Sequence, residues 1–79
     1  MIKAVFDIET NGLNPSVIWC IAAKVVGTWG EPEFFEPKDV HKFPQWLEDN
    51  NVEVLIGHNI INFDLPVIDK LLYYKWKAE

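Results

Sequence analysis

Apolar and polar positions follow two rhythms along this chain. Residues 2–6, IKAVF, form a short apolar run that predicts a buried strand, and the turn residues NGLNPS at 11–16 interrupt it. Residues 17–27, VIWCIAAKVVG, are apolar almost throughout and branched at both ends, which predicts a second, central strand. GTWGE makes a tight turn, and residues 32–37, PEFFEP, read as a short third strand. Its flanking prolines, Pro32 and Pro37, suit a sheet edge. Three strands joined by turns predict an antiparallel meander.

The rhythm then changes to steps of three and four. Val40, Phe43 and Leu47, with Trp46 beside them, predict an amphipathic helix ending near residues 50–51. Pro44 has no amide hydrogen and fits only its first turn, so the helix is expected to begin near Phe43. Residues 52–57, VEVLIG, read as a fourth strand; entered from a helix, it is expected to run parallel to the first. Phe63, Val67, Leu71 and Tyr74 predict a second helix over 62–77, with Asn62 as its cap and Pro66 in its opening turn. The expected order is βββ-α-β-α, an α/β domain over residues 1–79. It combines a three-stranded antiparallel meander with one parallel strand and flanking helices. One strand edge and one helix face are left without a cover.

Composition narrows the classes. With 79 residues, 49% of them hydrophobic, the chain is one small folded domain rather than a disordered segment. A domain this small hides only about 60% of its unfolded surface, so its stability alone is marginal. The single cysteine excludes an internal disulfide and fits a reducing, cytoplasmic setting; Cys20 lies in an apolar run and reads as packing. No apolar stretch approaches the roughly 20 residues that span a bilayer, so no membrane partner is expected. Acidic residues within MIKAVFDIE speak against a signal peptide. The net charge of −5 argues against a basic nucleic-acid surface, although carboxylates gathered to bind cations raise the same count. Lys70, Lys75 and Lys77 read as a solvated helix end.

The carboxylates carry the chemistry. On a strand Asp7 and Glu9 point to one face while Ile8 points to the other. Two like charges on one face repel unless a cation joins them, and hard oxygen donors favour Mg²⁺ or Mn²⁺. The plainer alternative is a hydrated strand end. Asp64 falls in the first turn of the last helix, just past the fourth strand. Parallel pairing would bring it to the same end of the sheet as Asp7 and Glu9, where α/β sites form. His58 reads as a ligand, a base or a support behind the ligands. Asn59 would brace its loop or hold a phosphate. Thr10, Gly12 and Leu13 could hold a nucleotide terminus, though a turn also uses Thr and Gly. Asp69 is expected to meet solvent or a nearby lysine, and Asp39 and His41 to cap or face water.

FDIETNGL (6–13) resembles the first motif of the DEDD superfamily of 3′–5′ exonucleases, and GHNIINFDLP (57–66) resembles its second. Together they are most similar to the N-terminal proofreading domain of phage-type family A DNA polymerases, over residues 2 to about 72. The resemblance implies a ribonuclease-H-like fold and hydrolysis of the terminal phosphodiester of single-stranded DNA from its 3′ end, with two Mg²⁺ or Mn²⁺ ions. It implies metal-holding and catalytic roles for Asp7, Glu9 and Asp64. Thr10, Leu13, Asn59 and Phe63 become contacts to the terminal nucleotide, with Gly12 and His58 in supporting roles. The family's third motif, a fourth carboxylate preceded by Tyr or His, has no counterpart after residue 64. The expectation is therefore the front part of such a domain, completed by a second polypeptide carrying the third motif or by a polymerase domain. Two other readings remain: a catalytically inactive interaction module whose acidic face and open edge meet a partner, and an RNA-directed exonuclease of the same superfamily.

Overall fold

A computed structural model describes residues 1–12, 14–58 and 60–76, with only the backbone described at Ile61. Four strands form one mixed sheet: β1 (Lys3–Thr10), β2 (Ile18–Val25), β3 (Glu33–Phe35) and β4 (Val54–Ile56), in the order β3-β2-β1-β4. β1 and β2 pair antiparallel, as do β2 and β3; β4 lies parallel to β1. A 3-10 turn (Pro37–Lys42) leads into α1 (Phe43–Asp49), and a π-helical turn (Ile60–Asp64) leads into α2 (Leu65–Leu72).

The architecture is α/β, and the expected order needs amendment where these two turns enter. Val40 belongs to the 3-10 turn rather than to α1, yet it still packs against the core. Phe43 opens α1 with Pro44 next, because proline fits a first turn where no amide bond is owed. The second helix is shorter than its periodicity suggests. Asn62 lies in the π turn, Asp64 takes the N-cap position, and Tyr73 ends the helix with φ 55°. Pro66 sits in the first turn of α2. A left-handed residue stops a helix because the next amide no longer points back at the last turn.

The first strand is longer than its apolar run. Pairing with β2 continues from Ala4–Val25 through Glu9–Cys20 to Thr10–Ile18, with an irregularity between Glu9 and Thr10. Ladder hydrogen bonds to a strongly apolar partner hold DIET extended, which its own composition does not signal. Asp7 and Glu9 therefore stand inside a strand and not beyond its end.

Alternation along β1 divides the sheet into two faces. Ala4, Phe6 and Ile8 are buried, while Lys3, Val5, Asp7 and Glu9 are exposed. The buried face joins Ile18, Ile21, Ala23 and Phe35 to Phe43 and Leu47 of α1 and Val67 and Ile68 of α2 in one cluster. Phe43 is fully buried and stacks on Phe6 at 5.5 Å between ring centroids, with Phe35 edge-on at 5.7 Å. The opposite face is mixed: Val5, Phe34 and Ile56 remain exposed beside the two carboxylates. A sheet with one packed and one open face is the usual product of antiparallel alternation.

Candidate active site

The site forms where β4 stops short of β1. Parallel pairing runs Lys3–Val54, Ala4–Leu55, Val5–Ile56 and ends there, while β1 continues for five residues. Gly57 follows directly, and the chain then turns through His58 into the π turn that ends at Asp64. This wide turn brings Asp64 back against the sheet. Asp64 is 6% exposed, and Oδ2 lies 3.1 Å from where a Cβ on Gly57 would stand; the Phe6 carbonyl oxygen lies 3.5 Å from that same point. Single π turns of this kind recur at functional sites because they shift one side chain out of helical register.

Asp64 is the single buried charged side chain among the described residues. Burial pushes its carboxyl above the ordinary range, the neighbouring Asp7 carboxylate raises it further, and His58 offsets part of the rise. Asp7 on the first strand thus acts on Asp64 of the turn, and the fourth strand lies parallel to the first as its entry from a helix leads one to expect. Cys20 faces Glu9 across β2 and is half-buried; burial raises its thiol, and Glu9 and then Asp7 add to the effect. The half-buried thiol lies on the same sheet face as Glu9 rather than in the core cluster, so the expected packing role is at most partial.

The oxygen donors suit a hard divalent ion in kind. The Asp7 carboxylate adds to the burial that raises Asp64, and a cation held by both would relieve that repulsion and part of the burial cost. Among the described residues, no group of three His, Cys, Asp or Glu side chains is drawn together closely enough to hold a metal ion. Glu9 lies two residues beyond Asp7 on the same face, next to the register irregularity between Glu9 and Thr10.

The remaining candidates divide. Thr10 Oγ1 donates to the Gly12 carbonyl at 2.9 Å, closing the turn after the acidic strand. Gly12 has φ 144°, a conformation that favours glycine. Phe63 is partly buried against the core and borders a shallow cleft of about 170 Å³ with Asn14, Pro15, Asn62, Pro66 and Lys70. His58 is exposed. Leu13 and Asn59 lie outside the described residues. Asp69 meets Lys75 at 3.9 Å, and Asp39 meets Lys42 at 3.3 Å, so neither joins the site.

Two contributors escape sequence reasoning. Lys70 is exposed in the last turn of α2 as expected, and its Nζ also donates to the Pro15 carbonyl at 3.2 Å, tying α2 to the loop after β1; Lys77 lies outside the described residues. Nothing local in the sequence signals a contact across 55 positions. Gly57 stands in the GHN stretch, where only its missing side chain could have drawn notice. Compared with known proteins, the chain matches no protein-family model, no curated protein and no solved structure.

Proposed function

We propose that this chain is the acidic-strand portion of a ribonuclease-H-like 3′–5′ exonuclease module that acts on the 3′ end of single-stranded DNA. The observation that carries this reading is the burial of Asp64 after the end of β4, close enough to Asp7 for that carboxylate to raise it further. A fold that needed only stability would not hold two repelling carboxylates there, and a divalent cation turns the repulsion into binding. The motif resemblance and the parallel placement of β4 beside β1 lend support.

Asp7, Glu9 and Asp64 would hold Mg²⁺ or Mn²⁺. Such ions, when bound, neutralise charge developing on a phosphodiester and lower the pKa of water. The chain's own residues do the positioning. Asp7 presents its carboxylate from a rigid ladder, Asp64 from the π turn, and Thr10 fixes the loop that would meet the terminal nucleotide. Phe63, Leu13 and Asn59 complete that contact in this reading, with His58 and Gly12 supporting it. β4 stands at the sheet edge beside exposed Val5 and Ile56, which suits a further strand from a longer chain or a second polypeptide carrying a fourth carboxylate.

The test is release of the 3′-terminal nucleotide from 5′-labelled single-stranded DNA with Mn²⁺, beside a D7A/E9A control. Stepwise shortening that vanishes in the control supports an active module. Without shortening, Mn²⁺ binding that is lost in the control supports a half-site awaiting its partner chain. A folded chain with neither property overturns the proposal.

A further inference from the structure

Three of the four glycines earn their place through backbone conformation, and Gly57 does not. Gly12, Gly27 and Gly30 have φ of 144°, 89° and 98°, and a Cβ on any of them would meet nothing within 4 Å. Gly57 has no such φ, so an L side chain could adopt its backbone. What it lacks is room: a Cβ there would stand 3.1 Å from Asp64 Oδ2 and 3.2 Å from Phe6 Cε1. Both distances are inside ordinary van der Waals contact.

The two neighbours differ in what they can yield. The Phe6 ring is 3% exposed and stacked on fully buried Phe43, so moving it disturbs the close-packed centre of the core. Asp64 ends a short π turn, and its carboxylate terminates a side chain with two rotatable bonds. Displacement would therefore fall on the carboxylate. We propose that Gly57 is a positioning residue, whose missing side chain leaves the space in which the Asp64 carboxylate is held beside the Phe6 ring of β1. The inference rests on the metal-site reading above and adds to it the element that sets where the Asp64 carboxylate stands.

A shift of a few tenths of an ångström matters little to stability and much to a hard cation with strict geometry. The experiment is Mn²⁺ titration of the wild type, Gly57→Ala, Asp64→Asn and the double variant, with a thermal melt of each. Gly57→Ala is expected to weaken Mn²⁺ binding about tenfold, the scale of loss when a ligand's support is removed. In the Asp64→Asn background the same change is expected to cost less than about twofold, because the ligand it displaces no longer counts. A general structural role would instead give equal losses in both backgrounds, and that result overturns the inference. So does unchanged binding by Gly57→Ala while the wild type binds, with the site reading intact. A wild type that binds no Mn²⁺ removes both. Should Gly57→Ala fail to fold, Phe6→Leu relieves only the ring side while the 3.1 Å approach to Asp64 remains; Phe6→Leu/Gly57→Ala is then expected to bind Mn²⁺ more weakly than Phe6→Leu, and equal binding overturns the inference.

Discussion

Lys70 Nζ on α2 donates to the carbonyl oxygen of Pro15 at 3.2 Å, joining the last helix to the loop that follows the acidic strand. The same ammonium reaches Asn14 Oδ1 at 3.5 Å. Inside the loop, Asn11 Oδ1 accepts from the amides of Ser16 at 3.1 Å and Val17 at 3.2 Å. The loop is thus closed from within by an asparagine and anchored from outside by a lysine. Residues on its two sides, Thr10 and Ile18, belong to the paired strands.

Lys70→Met keeps the aliphatic stem and removes the anchor. It is expected to leave the fold intact and to cost about 0.5–1.5 kcal/mol, the net value of an ordinary hydrogen bond. Hydrogen exchange of the Ser16 and Val17 amides should accelerate, because the loop opens more often without its tether. Exchange equal to the wild type would assign the closure to Asn11 alone.

Phe43 is the centre of the aromatic cluster, stacked on Phe6 and Trp46 and edge-on to Phe35. Phe43→Ala should cost about 3–5 kcal/mol through lost burial and the cavity left behind. Small domains hold only about 5–15 kcal/mol in total, and this one lies near the lower end by size. The expected result is loss of the cooperative urea transition and of near-ultraviolet circular dichroism. A sharp transition with an unchanged midpoint would mean the cluster relaxes to fill the space.

The strands and helices were legible because their signals are local. Continuous apolar runs mark β2, steps of three and four mark α1, and prolines mark first turns. The parallel placement of β4 followed from the intervening helix. What was not legible depends on partners distant in sequence. DIET extends only because β2 lies beside it, and α2 ends early because Tyr73 turns left-handed, although the apolar spacing runs on to Tyr74. Within the site, the strand period put Asp7 and Glu9 on one face and the topology brought Asp64 to their end. The space at Gly57 and the reach of Lys70 are tertiary facts with no period to betray them.

Tyr74 leaves the helix yet stays packed, and its hydroxyl donates to Glu48 Oε2 at 3.0 Å. Burial, then the hydrogen bond and charge of Glu48, push its phenol up to about 12 from an ordinary 10. A phenol raised in the folded state contributes stability in full below its unfolded pKa and loses it as pH climbs through the folded one. Wild-type stability should therefore fall between pH 10 and about 12 by more than that of Tyr74→Phe. Alkaline titration of tyrosinate absorbance should show a high-pH step missing in Tyr74→Phe. If both proteins lose stability in parallel across that window, the Tyr74–Glu48 bond is not formed in solution.

Asp64 gives the sharpest trade between stability and chemistry. Its carboxyl is raised above the ordinary 3.8 by burial and by Asp7, so the folded state binds the proton more tightly than the unfolded chain. The linkage sign follows: stability from this group is fully present below pH 3.8 and declines as pH rises through the folded value. Above pH 3.8 ionising this carboxyl costs the folded state more than the unfolded chain, so Asp64→Asn, close in shape and uncharged, should raise the melting temperature at neutral pH. Well below pH 3.8, where the wild-type group is protonated, that advantage should vanish. Saturating Mn²⁺ at neutral pH should reverse the ranking, since a bound ion stabilises the wild type by mass action and the variant little. Melting curves of both proteins, at acid and neutral pH and with and without Mn²⁺, decide the matter. A variant less stable than the wild type at neutral pH without metal would mean that Asp64 is held by favourable partners, and that its burial beside Asp7 carries no stored repulsion for a cation to relieve.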